Sequence, residues 1–139
     1  MVREWARQLR AAVVPLARQL RQQRVEDSFT PTQRTVLGTI HRYAPISLGD
    51  LAARERLSPS RISSVVTALE DAEFVTRIYD RRDRRVCRVE TTAVGEKWIE
   101  QSEAAASDWL AGRIAGLAPA ERAALAAAVP VIESLISDE

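Results

Sequence analysis

The sequence predicts a mainly α-helical protein with one small β-hairpin, and two patterns support this fold class. Along most of the chain, apolar residues recur every three or four positions, which is the period of an amphipathic helix. Residues 74–79 and 86–91 instead contain β-branched residues in short runs that flank a charged turn, as the strands of a hairpin do. Because 46% of the residues are hydrophobic and 28% are charged, the composition indicates a folded domain and excludes a disordered chain.

The first helix is expected over residues 2–23, where Trp5 and Leu9 begin an apolar stripe with arginines between its members. Pro15 should kink this helix, because proline cannot donate the backbone hydrogen bond. A linker over residues 25–29 is expected to follow.

Three further helices begin with the same chemistry. Thr30-Pro31 and Gln33 form a capping box, which predicts a helix that ends near Tyr43. Ser47 repeats the cap for a short helix, and Ser58-Pro59 begins the next helix after a brief turn. A short helix, a tight turn and a second helix are therefore expected in this order.

The helix after Ser58 has two different faces. Its apolar stripe contains Ile62, Val65, Val66 and Leu69. The opposite face carries small polar residues and Arg61, with no acid before Glu70, so it can approach a phosphate-lined groove closely. The alternative is an ordinary solvated face, although such faces usually include acids and lysines.

The predicted hairpin carries the turn Asp80-Arg81-Arg82-Asp83-Arg84-Arg85. Arginine suits a narrow, electronegative minor groove, and an aspartate beside an arginine can hold the guanidinium in one orientation. Following two helices and a turn, such a hairpin predicts a winged helix-turn-helix, whose second helix enters the major groove of DNA. A solvated charged loop is the alternative.

The last part of the chain is expected to be helical again. A long helix should run from Thr92 to about Ala115, and Pro119 begins a last helix that Pro130 should bend. Because the apolar terminal helices are separated in sequence by the winged region, they need a partner surface, which a symmetric dimer supplies. A bundle within one chain is the alternative. The predicted order is two helices, a short strand, two helices, a strand, the wing, a strand and two helices.

Charge is distributed unevenly along the chain. Residues 1–24 carry six arginines against one acid, whereas residues 92–139 carry three basic residues against eight acids. A basic N-terminal segment and an acidic C-terminal segment would orient the protein on a polyanion. All but one of the 20 basic residues are arginine, which favours phosphate and guanine contacts, although a GC-rich genome would produce the same bias.

Taken in order, these motifs resemble the MarR-type transcriptional regulators over nearly the whole chain. The segments that carry the resemblance are Thr30-Pro31-Thr32-Gln33 with Val36-Leu37, Leu51-Ala52, Leu57-Ser58-Pro59-Ser60, Val65-Val66 with Leu69-Glu70, and Asp83-Arg84-Arg85 leading through Thr92 to Gly95. The resemblance implies a homodimer that binds a palindromic operator in double-stranded DNA. It further implies a repressor that a small phenolic or lipophilic ligand releases.

The resemblance also implies three regions. Residues 1–29 would hold the N-terminal dimerisation helix and linker, residues 30–92 the winged helix-turn-helix DNA-binding domain, and residues 93–139 the C-terminal dimerisation helices. Some positions depart from the family pattern. Thr91 stands where leucine is usual, and Ala118 where serine or threonine usually caps the last helix, while Pro15 and Pro130 fall within the presumed dimerisation helices.

Residue by residue, the resemblance places DNA contacts on two surfaces. The recognition-helix positions fall on Ser58, Ser60, Arg61, Ser64 and Thr67. The wing positions fall on Arg84 and Arg85, with Arg82 beside them, and Asp83 is the aspartate that braces them. The region where the family binds effectors takes in Trp5, His41, Tyr43 and Trp109. For His41, a capping or core role is the alternative.

Other classes of protein are disfavoured. With one histidine, one cysteine and no glycine-rich phosphate loop, the chain is not expected to be an enzyme or to hold a cofactor or metal. Cys87 shares a strand face with Val89 and is expected to be a small core residue rather than a redox sensor. No apolar run reaches the roughly 20 residues of a membrane span, so a cytoplasmic protein is expected. A winged domain used only for protein–protein contact is the main alternative.

Overall fold

The structure, a computed structural model, describes residues 1–137, which form six helices and three short strands. In chain order they are α1 (Val2–Gln22), α2 (Pro31–Tyr43), β1 (Ile46–Ser47), α3 (Leu48–Glu55), α4 (Pro59–Asp71), β2 (Val75–Tyr79), β3 (Cys87–Thr91), α5 (Ala93–Ala115) and α6 (Pro119–Ile136). The predicted fold class, mainly helical with a hairpin wing, is therefore confirmed.

The three middle helices begin where the capping residues predict. The Thr30 hydroxyl accepts from the Gln33 backbone N–H at 3.2 Å, and the Gln33 side chain accepts from the Thr30 N–H at 3.0 Å. Ser47 caps α3 by accepting from the Asp50 N–H at 3.1 Å. Each cap satisfies backbone donors that have no partner within the helix, typically worth about 1 kcal/mol.

Two helices are followed by a residue with left-handed backbone angles that is not a glycine. The φ angle is 54° at Arg56, after α3, and 66° at Glu73, after α4. At the end of α4, the Glu73 N–H donates to the Glu70 carbonyl at 2.8 Å and the Phe74 N–H to the Leu69 carbonyl at 3.0 Å. This paired pattern closes the helix and turns the chain directly into β2.

The strands form a small antiparallel sheet in the order β1-β3-β2. In the β2–β3 hairpin, Val75 lies opposite Thr91 and Tyr79 lies opposite Cys87. On the other edge of β3, Ile46 of β1 pairs with Val89. The central strand therefore ties the wing to the segment that precedes α3.

The chain divides into two compact units, one formed by residues 25–102 and the other by residues 1–24 with the chain from Glu103 onward. Among the described residues, every buried hydrophobic side chain belongs to the first unit. The fully buried members are Val36, Leu37, Ile40, Leu51, Ile62, Val66, Leu69, Val75 and Val89. The apolar stripes predicted for the second and fourth helices are confirmed as faces of this core. The boundaries 29/30 and 92/93 stay a prediction.

The start of α5 is anchored on the turn between α4 and β2. The Thr92 hydroxyl caps α5 by accepting from the Gly95 N–H at 3.1 Å, and it donates to the Glu73 carbonyl at 2.5 Å. The Thr92 N–H also donates to the Phe74 carbonyl at 3.0 Å. Threonine at this position therefore serves both as a helix cap and as a tie to the preceding turn.

The second unit contains α1, α6 and the distal half of α5. No described residue of α1 or α6 is buried, although both helices carry many large apolar side chains. Trp5 is 63% exposed and Leu135 is 66% exposed. Both helices continue through their internal prolines, Pro15 and Pro130. No helix of the described chain is long and apolar enough to cross a membrane.

Candidate nucleic-acid interface

The outer face of α4 presents its predicted contact residues to solvent. Ser58, Ser60, Arg61, Ser64 and Thr67 are all exposed. The Ser58 hydroxyl accepts from the Arg61 N–H at 3.2 Å and lies 3.3 Å from the Ser60 hydroxyl. These contacts form at the first turn of the helix, where free backbone N–H groups and the helix dipole favour an anion such as phosphate.

Thr67 differs from the other exposed residues of α4, because its hydroxyl is already engaged. It donates to the Ser63 carbonyl at 2.8 Å and accepts from the guanidinium of Arg77 at 3.1 Å. A hydroxyl has one donor and two acceptor positions, so only one acceptor position of Thr67 is left for another partner.

The two aspartates of the wing have different structural roles. Asp80 binds backbone rather than a guanidinium, accepting from the N–H groups of Arg82 at 2.7 Å and Asp83 at 3.1 Å. These bonds lower the pKa of Asp80, the Arg82 N–H contributing most. Asp80 is thus a turn-forming residue, which corrects the expectation that it would hold an arginine side chain. A short aspartate reaches the backbone two residues on more readily than a neighbouring guanidinium.

Asp83 instead holds a guanidinium at two points. Its Oδ1 accepts from Nε of Arg85 at 3.0 Å and its Oδ2 accepts from Nη2 at 3.1 Å, while the Arg85 N–H also donates to Oδ1 at 3.1 Å. This pairing with the Arg85 side chain holds the pKa of Asp83 below its ordinary value. Arg85 nevertheless remains 91% exposed, so its side chain is oriented but not covered.

The other arginines of the tip, among them Arg82 and Arg84, are exposed as well. Within residues 1–137, no hydrogen bond or ion pair to a protein group engages the guanidinium of either residue. A cluster of solvated guanidinium groups on a narrow hairpin has the shape and charge to follow a DNA backbone or enter a minor groove.

One residue of this surface, Arg77 on β2, was missed by reasoning from sequence. Its guanidinium donates to Glu70 at 3.2 Å, to the Ser63 carbonyl at 3.2 Å and to Thr67. The sequence did contain a signal, because strand alternation places Arg77 on the same face as the buried Val75. A charge on a core-facing strand position requires a partner, and Glu70 supplies it.

The predicted effector residues of the winged unit have separate partners. His41 Nδ1 lies 3.0 Å from Glu96 Oε1, and the Thr91 hydroxyl donates to the same carboxylate oxygen. The Thr91 hydroxyl, followed by the His41 ring, lowers the pKa of Glu96. Tyr43 instead packs beneath Arg54, whose guanidinium carbon is 3.6 Å from the ring centroid.

Tyr43 also borders an open groove of about 360 Å³ between α2 and the end of α3. The remaining two effector candidates belong to the second unit. Trp5 is exposed on α1, and Trp109 is half-buried on α5 with the Arg113 guanidinium 5.1 Å from its ring centroid. A pocket shared by the four residues stays a prediction.

Cys87 is half-buried at the start of β3, opposite Tyr79 and next to the turn of the wing. Burial is the largest cause of its raised pKa, which keeps the thiol protonated. A thiol of this kind is a poor nucleophile, in line with the expected packing role. Within residues 1–137, no group of three or more histidine, cysteine, aspartate or glutamate side chains is placed to hold a metal ion.

A short helix, a recognition helix with an acid-poor outer face, and an arginine-tipped hairpin together define a winged helix-turn-helix protein that binds DNA. Comparison with known proteins supports this class and identifies the family. The MarR family matches residues 29–87. An HTH-type transcriptional regulator of Mycobacterium tuberculosis is 31% identical over 133 residues, which are 96% of this chain and 93% of that protein. The chain belongs to the MarR family, as its motifs predicted.

Solved structures extend the comparison to three dimensions. A protein of Pseudomonas aeruginosa described as a transcriptional regulator has 31% identity and a TM-score of 0.83, covering 98% of this chain and 96% of its own. A mutant of MepR from Staphylococcus aureus, solved bound to an oligodeoxyribonucleotide, shares the fold with a TM-score of 0.71 at 18% identity, covering 96% and 98%. The protein is therefore a MarR-family transcriptional regulator and not an enzyme.

Proposed function

We propose that this regulator is a repressor that binds a palindromic operator as a homodimer and that a small phenolic or lipophilic ligand releases it. The main support for this proposal is that one unit carries both the acid-poor face of α4 and the unpaired arginines of the wing. Two such units related by a twofold axis suit a palindrome, because recognition helices of a dimer read half-sites about one DNA turn apart.

The contacts divide into two kinds. Arg61, together with Ser60 and Ser64, faces outward from the first two turns of α4, where a major groove would be read. Arg84 and the braced Arg85 would enter the flanking minor groove or follow the phosphates. Arg82 adds charge to the same tip. Base preference should therefore depend on Arg61 and salt-sensitive affinity on the wing.

The homodimer is supported by the terminal helices. Large apolar side chains on α1 and α6 are exposed in the single chain, including Leu9, Val13, Val131 and Ile132. Exposed apolar surface on this scale is unusual for a monomer and is covered in a dimer. Residues on both terminal helices would then belong to one interface.

A protein–protein interaction module is the competing function for a winged domain. Such a module does not need several unpaired guanidinium groups on a hairpin beside a helix face without acids. The arrangement therefore favours DNA as the partner.

Selection of bound duplexes from genomic DNA tests the operator. We expect a palindromic site, bound with an affinity that falls steeply between low and moderate salt because counterions are released. The double variant Arg84→Ala and Arg85→Ala should lower the affinity and reduce the salt slope by about four, because each subunit of the dimer loses two charges. Arg122→Ala, an exposed arginine on α6, is the matched control and should change neither. Unchanged affinity and slope in the wing variant would refute the proposed wing contacts.

Light scattering after size exclusion tests the dimer. Val13→Glu should give a monomer at micromolar concentration, because it places a charge on the apolar face of α1. Ala11→Glu adds the same charge on the opposite side of that helix and should remain dimeric. A monomeric wild-type protein would overturn the homodimer.

Release by a ligand is tested by adding a panel of phenols to the protein–operator complex. We expect at least one phenol to dissociate the complex and to raise the Tm of the free protein, since a ligand that binds the folded state stabilises it. Substitution of Trp5, His41, Tyr43 or Trp109 should weaken that response without changing operator affinity. If all four variants kept the full response, the ligand would bind elsewhere.

A further inference from the structure

The recognition helix and the wing follow each other in sequence. Residues 72–74 are all that separate α4 from β2, so the direction in which the hairpin leaves the helix depends on a short turn and on lateral contacts. Besides the packing of Val75 in the core, the lateral hydrogen bonds between the described residues of the two elements come from Arg77, whose side chain is 15% exposed.

Arg77 contacts α4 at three positions, which are spaced along one face of the helix. Its Nη1 donates to Glu70 Oε1 at 3.2 Å, and its Nη2 donates to the Ser63 carbonyl at 3.2 Å and to Thr67 Oγ1 at 3.1 Å. The Arg77 backbone N–H donates to the second oxygen of Glu70 at 3.1 Å. One carboxylate thus holds both the backbone and the side chain of the strand.

This geometry requires a guanidinium. The planar fork reaches acceptors on two successive turns of α4 at once, whereas an ammonium group is a single point of charge. Partial burial strengthens the cross-link, because a nearly covered charge loses most of its water and depends on its partners.

We propose that Arg77 is a positioning residue that fixes the wing to the recognition helix, so that the two DNA-contacting surfaces bind as one rigid body. Thr67 belongs to this cross-link and orients the wing rather than reading bases. The inference rests on the proposed binding of duplex DNA by α4 and the wing. It assigns to Arg77 and Thr67 a role in linking the recognition helix to the wing.

A double-mutant cycle on the selected operator duplex tests the cross-link. The affinity loss caused by Arg84→Ala is measured in the wild-type background and in the Arg77→Lys background. Lysine keeps the charge but cannot reach Glu70 and Ser63 together. We expect the loss from Arg84→Ala to shrink by at least about threefold in the Arg77→Lys background, because a loosened wing contributes less.

Because Arg77→Lys keeps the charge, a fall in the salt slope of its own binding reports lost wing contacts and not a missing charge at position 77. If Arg77 only adds positive charge, the lysine variant will bind like wild type and the two substitutions will be additive. That result would overturn the inference.

Arg88→Lys is the matched control, because Arg88 is an exposed arginine of β3 that lies opposite Ile78, next to Arg77 in the hairpin. It makes the same change of arginine to lysine near the wing without altering a contact to α4, so its effect should add to that of Arg84→Ala. Equal coupling in the Arg88 and Arg77 backgrounds would contradict the specific link.

Thr67→Val removes one partner of Arg77 and no charge, which keeps the test informative if the Arg77 variant does not fold. It should reduce the effect of Arg84→Ala in the same direction and leave the base preference at each operator position unchanged. A changed preference at one position would show that Thr67 reads a base. A wild-type protein that binds no duplex would overturn the proposed function, whereas normal binding with additive losses would overturn this inference alone.

Discussion

The carbonyl oxygen of Phe74 lies 2.2 Å from the point that a Cβ atom on Gly95 would occupy. The first turn of α5 therefore packs directly on the backbone of the residue before β2, with no room for a side chain. Because the opposing atoms belong to the backbone and not to a flexible side chain, they cannot move aside cheaply.

Gly95→Ala should consequently destabilise the protein by about 1–3 kcal/mol, measured by urea unfolding. Gly38→Ala is the control, since a Cβ at this position of α2 meets no atom within 4 Å. Alanine there should instead raise stability by about 0.5–1 kcal/mol, because it is the better helix former. A stabilising effect at both positions would contradict the close approach of Gly95 to Phe74.

Glu73→Gly is predicted to stabilise the protein by about 0.5–1 kcal/mol, despite the greater freedom of glycine in the unfolded chain. Glu73 has a φ of 66°, a conformation that is strained for a residue with a Cβ. Ala72→Gly is the comparison, because Ala72 has a right-handed φ of −80° and gains nothing from glycine. Differential scanning calorimetry should show opposite shifts in Tm, and equal shifts would argue against the strain.

Asp83→Asn separates bracing from charge at the wing. The substitution removes a negative charge beside DNA, which alone would strengthen binding to any duplex. If Asp83 braces Arg85, affinity for the selected operator should instead fall about three- to tenfold, while affinity for unrelated duplex should not fall. Asp71→Asn, at the exposed end of α4, removes the same charge without a bonded guanidinium and should affect both duplexes alike.

Glu96 makes a contribution to stability that depends on pH. Its pKa is lowered, first by the Thr91 hydroxyl and then by the His41 ring. A carboxyl group with a depressed folded pKa contributes stability that is fully present above its unfolded value, about 4.3, and lost as pH falls through the folded value.

Glu96→Gln should therefore lose less stability than wild type when urea unfolding is followed from about pH 5 down to pH 3. The side chain is 39% exposed, so solvent screening keeps the difference below about 1 kcal/mol. Glu100→Gln, an exposed residue one turn further along α5, should follow the wild-type profile. A Glu96→Gln profile that parallels wild type would show that the network contributes nothing to stability.

Much of the fold could be predicted because local chemistry determined it. Thr30, Ser47 and Ser58 begin helices through bonds to residues three positions on, and such short-range patterns are visible in one sequence. The hairpin was equally visible, since two β-rich runs flank a turn of alternating charges. Apolar spacing identified the buried faces of α2 and α4 correctly.

The features that sequence reasoning missed depend on contacts between elements. The bonds of Arg77 to Ser63 and Thr67 form only once β2 lies beside α4. Strand alternation indicates that Arg77 needs a partner but not which residues supply it. Asp80 was misjudged for a different reason: its side chain had two available partners, and the backbone of its own turn was the nearer one. The left-handed φ of Glu73 was hidden because the usual glycine signal is absent there.

The distribution of the core has a consequence for how the protein responds to dilution. Every buried hydrophobic side chain of the described chain lies within residues 25–102, while α1 and α6 bury none. If α1 and α6 form the proposed dimer interface, the winged unit should hold its fold without help from a partner, whereas order in the terminal helices should depend on protein concentration. Thermal unfolding is then expected in two steps, of which only the first shifts to lower temperature as the sample is diluted.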